Sequence, residues 1–424
     1  MSDISADKQQ ALDKFFEFMA DPKKKEMGII GEPGCGKTWF INYLLKQLRK
    51  KETIKNHLIG GNEFSQIALA APTNEAAATL SDATSLPAST LHSLFGLRLR
   101  NDFKTGKTIT EKTRDFKMQH NVLLIVDEAG WLDKTMTDYI RSSCVNSKVL
   151  YVGDPKQLVT VGETESYVFD TLDTVAHLSQ NFRNDNFIGK FAKKYRDSVG
   201  KAKLPRLLPD NDLVQFVDES EMKELIQHHF LGDNFRKKNH AKIIAWRNST
   251  VKEYNDYVRS CFTDYQEFEP GEIVTCAKPV LQNGMVQYHT DSTFIIDKLV
   301  DSFTIQGIEC YEAITTDGVR IVIPYDYSEV SALLKRLYEE GKSNGNYFDF
   351  FATKDAFNDI RPIYAGTVHK SQGKTHDVTF IDLNDMGCCQ SLIDFQRLMT
   401  VATSRPRHRL YLFGDLPIHY GGTN

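Results

Sequence analysis

The residues from Gly31 to Thr38, GEPGCGKT, follow the pattern G-x-x-x-x-G-K-[S/T] between a predicted strand, MGII, and a predicted helix, WFINYLLKQLRKK. The backbone N–H groups of such a loop, together with the positive end of the helix, hold phosphate oxygens. A glycine-rich turn without a ligand is the alternative, and the flanking strand and helix disfavour it. The loop therefore predicts binding of ATP or GTP. The residues expected to contact the nucleotide are Gly31, Pro33, Gly34, Cys35, Gly36, Lys37 and Thr38.

Two charged or polar groups of the loop point to phosphoryl chemistry. Lys37 would reach the β and γ phosphates, and Thr38 would ligate Mg²⁺. Cys35 stands just before the helix, where the helix dipole favours the thiolate, so its alkylation is expected to inactivate the protein. A buried and inert thiol at a permissive loop position is the alternative.

Further candidate catalytic residues follow two other apolar runs. In NVLLIVDE, Asp127 would hold the metal and Glu128 would polarise an attacking water. On its own, an Asp-Glu pair at this place is as often a surface turn, but the loop upstream favours the catalytic interpretation. In KVLYVGDPKQL, Gln157 would sense a γ-phosphate or orient water, with a simple polar turn as the alternative.

A second Gly-Lys-Thr sequence closes the stretch from Thr367 to Thr375, TVHKSQGKT. A phosphate-binding loop needs a further glycine five residues before the Gly-Lys pair, so that the chain can turn. Val368 occupies that position. The second stretch is therefore not expected to be another nucleotide site.

Composition excludes some classes of protein. The 424 residues are 41% hydrophobic and 25% charged, which is typical of a globular chain with two to four domains. A net charge of -4 means that any nucleic-acid surface must be a local groove. The seven cysteines include no C-x-x-C pair, which disfavours a zinc site or a disulfide framework. No apolar run approaches the ~18 residues needed to cross a bilayer, so we expect a cytoplasmic protein without membrane contact.

Hydrophobic periodicity predicts an α/β fold. QQALDKFFEFM places Leu12, Phe15, Phe16 and Met19 on one face of a helix. Short apolar runs that alternate with helical stretches are typical of parallel sheets. The segment from Phe262 to Ile360 differs, because it shows strand-like alternation followed by a polar helical piece and NYFDFF, and it is interpreted as an insertion. The predicted strands are MGII, QIALAAP, NVLLIVDE, KVLYVGD, AKIIAW and VTFIDL.

In their order, these motifs and several others resemble the superfamily-1 helicases, and among them the RecD-like branch that moves 5′ to 3′. Near the N-terminus, Gln9 or Gln10 resembles the adenine-reading glutamine, with Gln9 preferred. LSQNFR and RLMTVATSRPR bring Arg183 and Arg405, which the resemblance places on the γ-phosphate. AWRNSTVKEYN resembles the motif that opens the second RecA-like domain.

The resemblance also implies a set of residues that contact single-stranded DNA. AAPTNEAA, STLHSLFG and TVHKSQG resemble the strand-binding motifs of the family, and the last of these also reports to the ATP site through Gln372 and Gly373. Gly373 is accordingly assigned to the nucleotide site as well. The strand-binding residues implied in this way are Pro72, Thr73, Asn74, Thr90, His92, Thr367, His369 and Lys370.

The implied architecture has two RecA-like P-loop domains with parallel sheets, a hairpin insertion and an SH3-like β insertion. The first domain comprises 1–92 and 117–190, and the second comprises 191–261 and 361–424. The hairpin, 93–116, contains LRLRNDFKTGKTITEK around a Thr-Gly turn and would separate strands, with Phe103 stacking on the terminal base pair or packing on its own hairpin. The insertion 262–360 is either the SH3-like module or a structural β subdomain without DNA contact.

The resemblance implies an ATP-dependent DNA helicase that uses Mg²⁺ and acts on single-stranded and forked DNA in replication, recombination or repair. A strand-stimulated translocase that displaces proteins without productive unwinding is the alternative. A nucleotide switch that binds a protein partner is an alternative of another class. The expected protein is a monomer in the cytoplasm, or in a host cytoplasm if a phage encodes it, with replication or single-strand-binding proteins as candidate partners.

Overall fold

The computed structural model describes residues 4–58, 66–104, 107–158, 166–180, 187–206, 212–231, 240–282 and 285–422. The chain divides into two compact units. The first unit comprises Met1–Arg98, Lys112–Val217 and Ser371–Asn424, and the second comprises Leu99–Glu111 and Asp218–Lys370. Within the described ranges, no helix is both long and apolar enough to cross a membrane.

The helices are α1 (Ala6–Ala20), α2 (Lys37–Leu58), α3 (Asn74–Thr84), α4 (Leu91–Phe95), α5 (Lys134–Ser143), α6 (Tyr167–Asp170), α7 (Phe187–Ser198), α8 (Glu219–Phe230), α9 (Asn248–Ser260), α10 (Tyr327–Asn344), α11 (Phe348–Ala356), α12 (Val368–Ser371), α13 (Leu383–Met386) and α14 (Leu392–Thr403). The strands are β1 (Glu26–Gly31), β2 (Gln66–Ala71), β3 (Ala88–Thr90), β4 (Leu97–Asp102), β5 (Lys107–Lys112), β6 (Gln119–His120), β7 (Val122–Val126), β8 (Cys144–Val145), β9 (Lys148–Gly153), β10 (Val175–Leu178), β11 (Val214–Val217), β12 (Ala241–Ala245), β13 (Ile273–Cys276), β14 (Val280–Gln282), β15 (Met285–Tyr288), β16 (Thr293–Ile305), β17 (Ile308–Thr315), β18 (Arg320–Pro324), β19 (Ile360–Pro362), β20 (Ala365–Thr367), β21 (His376–Asp382) and β22 (Pro406–Phe413).

A six-stranded parallel sheet in the order β10-β1-β9-β7-β2-β3 forms the centre of the first unit. Successive residues of β7 point to opposite faces, so that Leu123 and Ile125 join one hydrophobic cluster while Leu124 and Val126 join another. Because both faces are covered, the strands are almost continuously apolar. This arrangement confirms the predicted parallel α/β fold for this part of the chain.

Helix α1 packs on one face of this sheet in a slightly different orientation from the predicted one. Leu12 and Phe15 are buried as expected, but Phe18 is also fully buried, and Phe16 and Met19 are only partly buried. The buried face of α1 is therefore centred on Leu12, Phe15 and Phe18, with Phe16 and Met19 at its edge. The five large apolar side chains of QQALDKFFEFM are spaced closely enough for the helix to bury either of two overlapping faces.

Further parallel strands confirm the downstream predictions. In the first unit, β22 pairs in parallel with both β11 and β21. In the second unit, β12 pairs in parallel with β20. The segments AKIIAW and VTFIDL, which contribute β12 and β21, are therefore strands as predicted.

The second unit contains a five-stranded antiparallel sheet in the order β18-β17-β16-β13-β19, drawn from the predicted insertion. Its core includes Val274, Phe294 and Ile321, which are nearly or fully buried. A β subdomain with a helical extension is thus confirmed, and α10 and α11 supply that extension. Its SH3-like identity stays a prediction.

Strands β4 and β5 form the predicted hairpin, and its Thr105-Gly106 turn lies outside the described residues. The Phe103 ring contacts α11, with its centroid 5.2 Å from that of Phe351 and 6.3 Å from that of Phe348. The backbone N–H of Tyr347 donates to the Phe103 carbonyl at 2.9 Å. The Phe103 ring therefore packs on the helical extension of the second unit, and its stacking on a terminal base pair stays a prediction.

Gly130 allows a close backbone approach that positions the residues after β7. A Cβ at this position would lie 2.9 Å from the Asp154 carbonyl oxygen, which belongs to the backbone and cannot rotate away. Gly130→Ala should therefore lower the free energy of unfolding by ~1–3 kcal/mol, as overpacking does. Urea denaturation measures this change.

Gly366→Ala is the matched control. A Cβ there would lie 3.0 Å from Cε of Lys242, a flexible side chain that can move. Its cost should be clearly smaller, and equal losses in the two variants would contradict the argument from backbone contact.

Candidate active site

The glycines of the loop between β1 and α2 are required by its backbone. Gly34 and Gly36 have φ angles of 85° and 81°, in the left-handed region that favours glycine. At Gly31 the reason is space, since a Cβ would lie 2.4 Å from Cys35 Sγ. The tight turn directs the chain into the N-terminus of α2, which is the geometry that phosphate oxygens need.

Lys37 folds back over this loop. Its Nζ donates to the carbonyls of Gly31 at 2.9 Å and Glu32 at 3.3 Å. The ammonium is partly exposed to solvent, and it stands at the first position of α2. A neutral carbonyl binds an ammonium less strongly than a charged phosphate oxygen does, so a phosphate would replace these contacts favourably.

The expectation of a reactive Cys35 is wrong. The thiol is fully buried, and burial raises its pKa above the ordinary value, although the charges of Lys37 and Lys8 act in the opposite direction. Desolvation of the thiolate outweighs the helix dipole here. The inert, buried thiol is the interpretation that the structure favours, and the backbone role of Cys35 in the loop stays a prediction.

Asp127 stands at the end of β7 beside the loop. The Thr38 hydroxyl donates to its Oδ2 at 3.4 Å, and the Glu128 N–H donates to its Oδ1 at 2.9 Å. Burial, reinforced by the charge of Glu128, raises the pKa of Asp127 to about 6. A hydroxyl and a buried carboxylate that lacks a full counter-charge are the oxygen ligands that Mg²⁺ prefers, so Thr38 and Asp127 fit the predicted metal.

Glu128 and Gln157 lie on two turns that approach each other closely. Glu128 has a φ of 52°, and the short 3₁₀ turn that follows it, Ala129–Trp131, runs against the backbone of Gly153 and Asp154. Gln157 is buried, and among the described residues its Oε1 has no hydrogen-bond partner. A buried amide oxygen of this kind can accept a hydrogen bond from water. The catalytic roles of both residues stay predictions.

Three residues outside the predicted set connect this turn to the loop. The Arg196 guanidinium makes a bidentate pair with Asp154 and also reaches Glu32 of the loop. Sequence reasoning missed Arg196 because a lone arginine in an amphipathic helix has no motif. Asp154 was visible in VGDPKQL, next to the predicted Gln157, but it was given no role.

The two predicted arginines have different outcomes. Arg183 lies outside the described residues. Arg405 is buried, and its guanidinium donates to the carbonyls of Val401, Ser371 and Lys374 and to the Ser404 hydroxyl, at 2.7–3.3 Å. These contacts give Arg405 a clear role in joining the end of α14 to 371–374. Its action on a phosphate stays a prediction.

Most predicted strand-binding residues of the first unit lie at helix N-termini. Thr73 caps α3 by accepting from the N–H of Ala76 at 3.2 Å, and Thr90 caps α4 by accepting from the N–H of Ser93 at 3.1 Å. Pro72 precedes the first cap, and Asn74 is the exposed first residue of α3. Near the second cap, burial lowers the pKa of His92.

The stretch TVHKSQGKT supplies two lysines that are paired with carboxylates. In the second unit, Lys370 Nζ lies 2.7 Å from Asp291 Oδ1, and the Lys370 N–H donates to Thr367 Oγ1. In the first unit, Lys374 Nζ lies 2.9 Å from Glu75 Oε2. Both predicted DNA-contacting regions therefore contain ion pairs.

The remaining predicted residues are found in exposed or partly buried positions. Gln9 is exposed and donates to Asp13 at 2.9 Å. His369 is partly buried, and Gly373 has a φ of 80°, which explains the glycine there. Within the described part of the chain, Gln372 Oε1 is buried without a hydrogen-bond partner.

Comparisons with known proteins agree with this geometry. A family model described as an AAA domain matches residues 19–163, which span the loop, Asp127 and Gln157. The ATP-dependent DNA helicase dda of Enterobacteria phage T4 is 23% identical over 85% of this chain and 88% of its own length. The predicted resemblance to the superfamily-1 helicases is confirmed by this similarity. An uncharacterized protein of Acanthamoeba polyphaga mimivirus is 22% identical over 95% of this chain and 98% of its own.

The fold itself is confirmed by a solved structure. The Bacteroides Pif1 helicase, in a crystal structure with ADP-AlF3 and single-stranded DNA, superposes with a TM-score of 0.51. The match covers 97% of this chain and 93% of the other, at 15% identity. The predicted α/β class with two RecA-like domains is therefore confirmed.

The raised pKa of Asp127 gives a prediction about stability. The folded state binds a proton on Asp127 more tightly than the unfolded state does. Protonation of Asp127 therefore favours folding below pH 3.8, and this contribution is lost as the pH rises through about 6. The rise of the Asp127 pKa from 3.8 to about 6 corresponds to ~3 kcal/mol in the free energy of unfolding. In EDTA, Asp127→Asn should therefore be more stable than the parent protein above pH 6, with a difference that shrinks toward pH 5.

Asp7→Asn is the control of opposite sign. Burial alone would raise the pKa of Asp7, but hydrogen bonds from Gln180, Ser5 and Ser179 lower it well below the ordinary value. Asp7 therefore stabilises the fold above about pH 4, and its loss should destabilise the protein at neutral pH. Urea unfolding between pH 5 and 8 measures both, and a pH-independent effect of Asp127→Asn would contradict the assignment.

Proposed function

We propose that this chain is an ATP-dependent DNA helicase that hydrolyses Mg-ATP, moves 5′ to 3′ on single-stranded DNA and separates duplex DNA. The single observation that carries the proposal is the approach of the Thr38 hydroxyl to the buried Asp127 carboxylate, beside a loop whose glycines are required by its backbone. The relationship to the T4 helicase supports the choice of reaction. ATP is the substrate, and Mg²⁺ is its metal.

The residues of the loop have separate tasks in this proposal. Backbone N–H groups from Gly34 to Thr38 face the α and β phosphates, and Lys37 leaves its two carbonyl contacts to meet the β and γ phosphates. Thr38 and Asp127 would hold Mg²⁺, which would neutralise phosphate charge when bound. Beside such a cation the Asp127 carboxylate would ionise despite its burial.

Glu128 and Gln157 act on the attacking water. Glu128, partly exposed beside Asp127, accepts a proton from it, and the buried Gln157 amide orients it through its free oxygen. Arg183 and Arg405 stabilise the charge on the transferred phosphoryl group. For Arg405 this role requires the guanidinium to exchange some of its protein acceptors for phosphate oxygens.

The strand contacts rest on exposed or partly exposed groups at helix N-termini and on basic side chains. Thr73, Asn74 and Thr90 lie at the starts of α3 and α4, where N–H groups and the helix dipole attract phosphate. Lys370, which is paired with Asp291, adds a positive charge, and His369 lies next to it. A local arrangement of this kind suits a chain whose overall charge is negative.

The hairpin is the proposed strand-separating element. Phe103 at its end is 47% exposed, so one side of the ring is free to meet a base pair while the other rests on Phe351. The packing against Phe351 matters because a strand-separating side chain must hold its position against the base pair that it disrupts. The alternative, a translocase without productive unwinding, has the same ATPase and strand residues but needs no wedge.

A fork assay decides between these activities. Duplexes with a single-stranded tail of either polarity are mixed with the protein and Mg-ATP, and strand separation and ATP hydrolysis are recorded together. Unwinding only with a 5′ tail supports the proposal. Strand-stimulated hydrolysis without unwinding supports the translocase, and hydrolysis that DNA does not stimulate supports a nucleotide switch. We also propose that the protein works as a monomer in the cytoplasm, with replication or single-strand-binding proteins as partners.

Substitution of Lys37 and Glu128 should separate binding from hydrolysis. Lys37→Ala removes the cation that faces the phosphates and should lower kcat at least ~100-fold. Glu128→Gln should keep ATP affinity within about threefold of the parent while lowering kcat by a similar factor. Steady-state ATPase assays and titration with a fluorescent ATP analogue measure both quantities, and near-normal turnover in either folded variant contradicts the assignment.

Phe103→Ala should separate unwinding from movement. Loss of the ring removes the exposed wedge and its contact with α11, so fork unwinding should fall about tenfold or more while strand-stimulated hydrolysis stays near the parent rate. Tyr265→Ala is the control, because Tyr265 is an exposed aromatic of the second unit and, among the described residues, its ring does not contact the hairpin. Equal loss of both activities in Phe103→Ala would assign the residue to stability instead.

A further inference from the structure

Arg196, in the last turn of α7, occupies an unusual electrostatic position. Its Nε and Nη2 donate to the two carboxylate oxygens of Asp154 at 3.1 Å each, and Nη1 donates to Glu32 Oε1 at 3.0 Å. The Arg196 side chain is 11% exposed, and that of Asp154 is completely buried. One guanidinium therefore joins two carboxylates that lie far apart in the sequence.

Both carboxylates belong to segments that carry proposed catalytic groups. Glu32 is in the phosphate loop, and its own carbonyl accepts from Lys37 Nζ. Asp154 begins the turn of Gln157, since its carbonyl accepts from the Gln157 N–H at 3.2 Å and its Oδ1 accepts from the Lys156 N–H at 3.1 Å. Arg196 thus links the backbone that carries Lys37 to the backbone that carries Gln157.

The chemistry of this link requires arginine. Only a planar guanidinium can make a bidentate pair with one carboxylate and extend a further N–H to another. Lys193, one turn earlier in α7, also reaches Glu32 at 2.8 Å, but it is 54% exposed, and within the described residues its ion pairs are with Glu32 and Asp197 and not with Asp154. An exposed pair of that kind contributes little, so Lys193 is a natural internal control.

We propose that Arg196 is a positioning residue for ATP hydrolysis, and that it sets the spacing between the phosphate loop and the Gln157 turn. It touches neither nucleotide nor water, and it acts through Glu32 and Asp154. The inference rests on the proposed function, because it assumes that Lys37 and Gln157 act on the same phosphoryl group. Loss of the link leaves ATP able to bind the loop but leaves the water badly placed for attack.

The test compares Arg196→Gln, Arg196→Lys and Lys193→Ala in strand-stimulated ATPase assays, well below the melting temperature of each variant. Arg196→Gln should lower kcat about tenfold or more while KM for ATP changes less than about threefold, which is the signature of a group that acts in the transition state. Arg196→Lys should recover part of kcat, since it restores the charge without the fork. Lys193→Ala should match the parent.

Two further variants separate positioning from folding. Removal of Arg196 alone leaves a buried Asp154 charge without its partner, which destabilises proteins. Asp154→Asn combined with Arg196→Gln removes both charges, and it should restore the melting temperature while kcat stays low. Glu32→Gln cuts only the arm to the loop, so it should lower kcat with little change in melting temperature.

The outcomes divide clearly. A folded Arg196→Gln or double variant with the parent kcat overturns the inference, as does a loss of kcat that only follows the unfolded fraction. A tenfold change in KM with unchanged kcat also overturns it, because it would indicate a role in binding. If Lys37→Ala keeps its turnover, the proposed function itself fails, whereas an inactive Lys37→Ala beside an active Arg196→Gln rejects only the positioning role.

Discussion

The buried carboxylate of Asp127 is the constraint on which the site depends. Its removal from water raises its pKa, and the nearby charge of Glu128 raises it further. Side-chain groups that offset this cost, the Thr38 hydroxyl and the Lys37 ammonium, come from the start of α2. A cation bound beside these groups would therefore offset the cost of ionising Asp127.

Close packing of backbone gives this site its shape. Gly31, Gly130 and Gly153 all lie where a Cβ would collide with neighbouring atoms, at 2.4–2.9 Å. The segments after β7 and β9 consequently approach each other more closely than side chains would allow, and the loop after β1 turns tightly on itself. At Gly130 the cause is the contact with the Asp154 backbone, which a side chain would obstruct.

Sequence reasoning predicted those parts that depend on local pattern. Apolar runs such as NVLLIV gave the strands, because a parallel sheet covered on both faces leaves few polar positions. The glycine pattern gave the loop for the reasons that its φ angles now show. The pattern failed where three-dimensional neighbours decide: burial overrides the helix dipole at Cys35, and the contact between Phe103 and α11 joins residues that are remote in sequence.

The carboxylate partners of Lys370 and Lys374 affect how the proposed DNA binding would respond to salt. In the free protein, Asp291 and Glu75 already neutralise these two ammonium groups. A phosphate that recruits either lysine displaces a protein carboxylate as well as counterions from the DNA, and the released carboxylate then attracts cations from solution. Uptake of cations by the protein partly cancels their release from the strand. The slope of log affinity against log salt concentration would therefore underestimate the number of phosphate contacts in the complex.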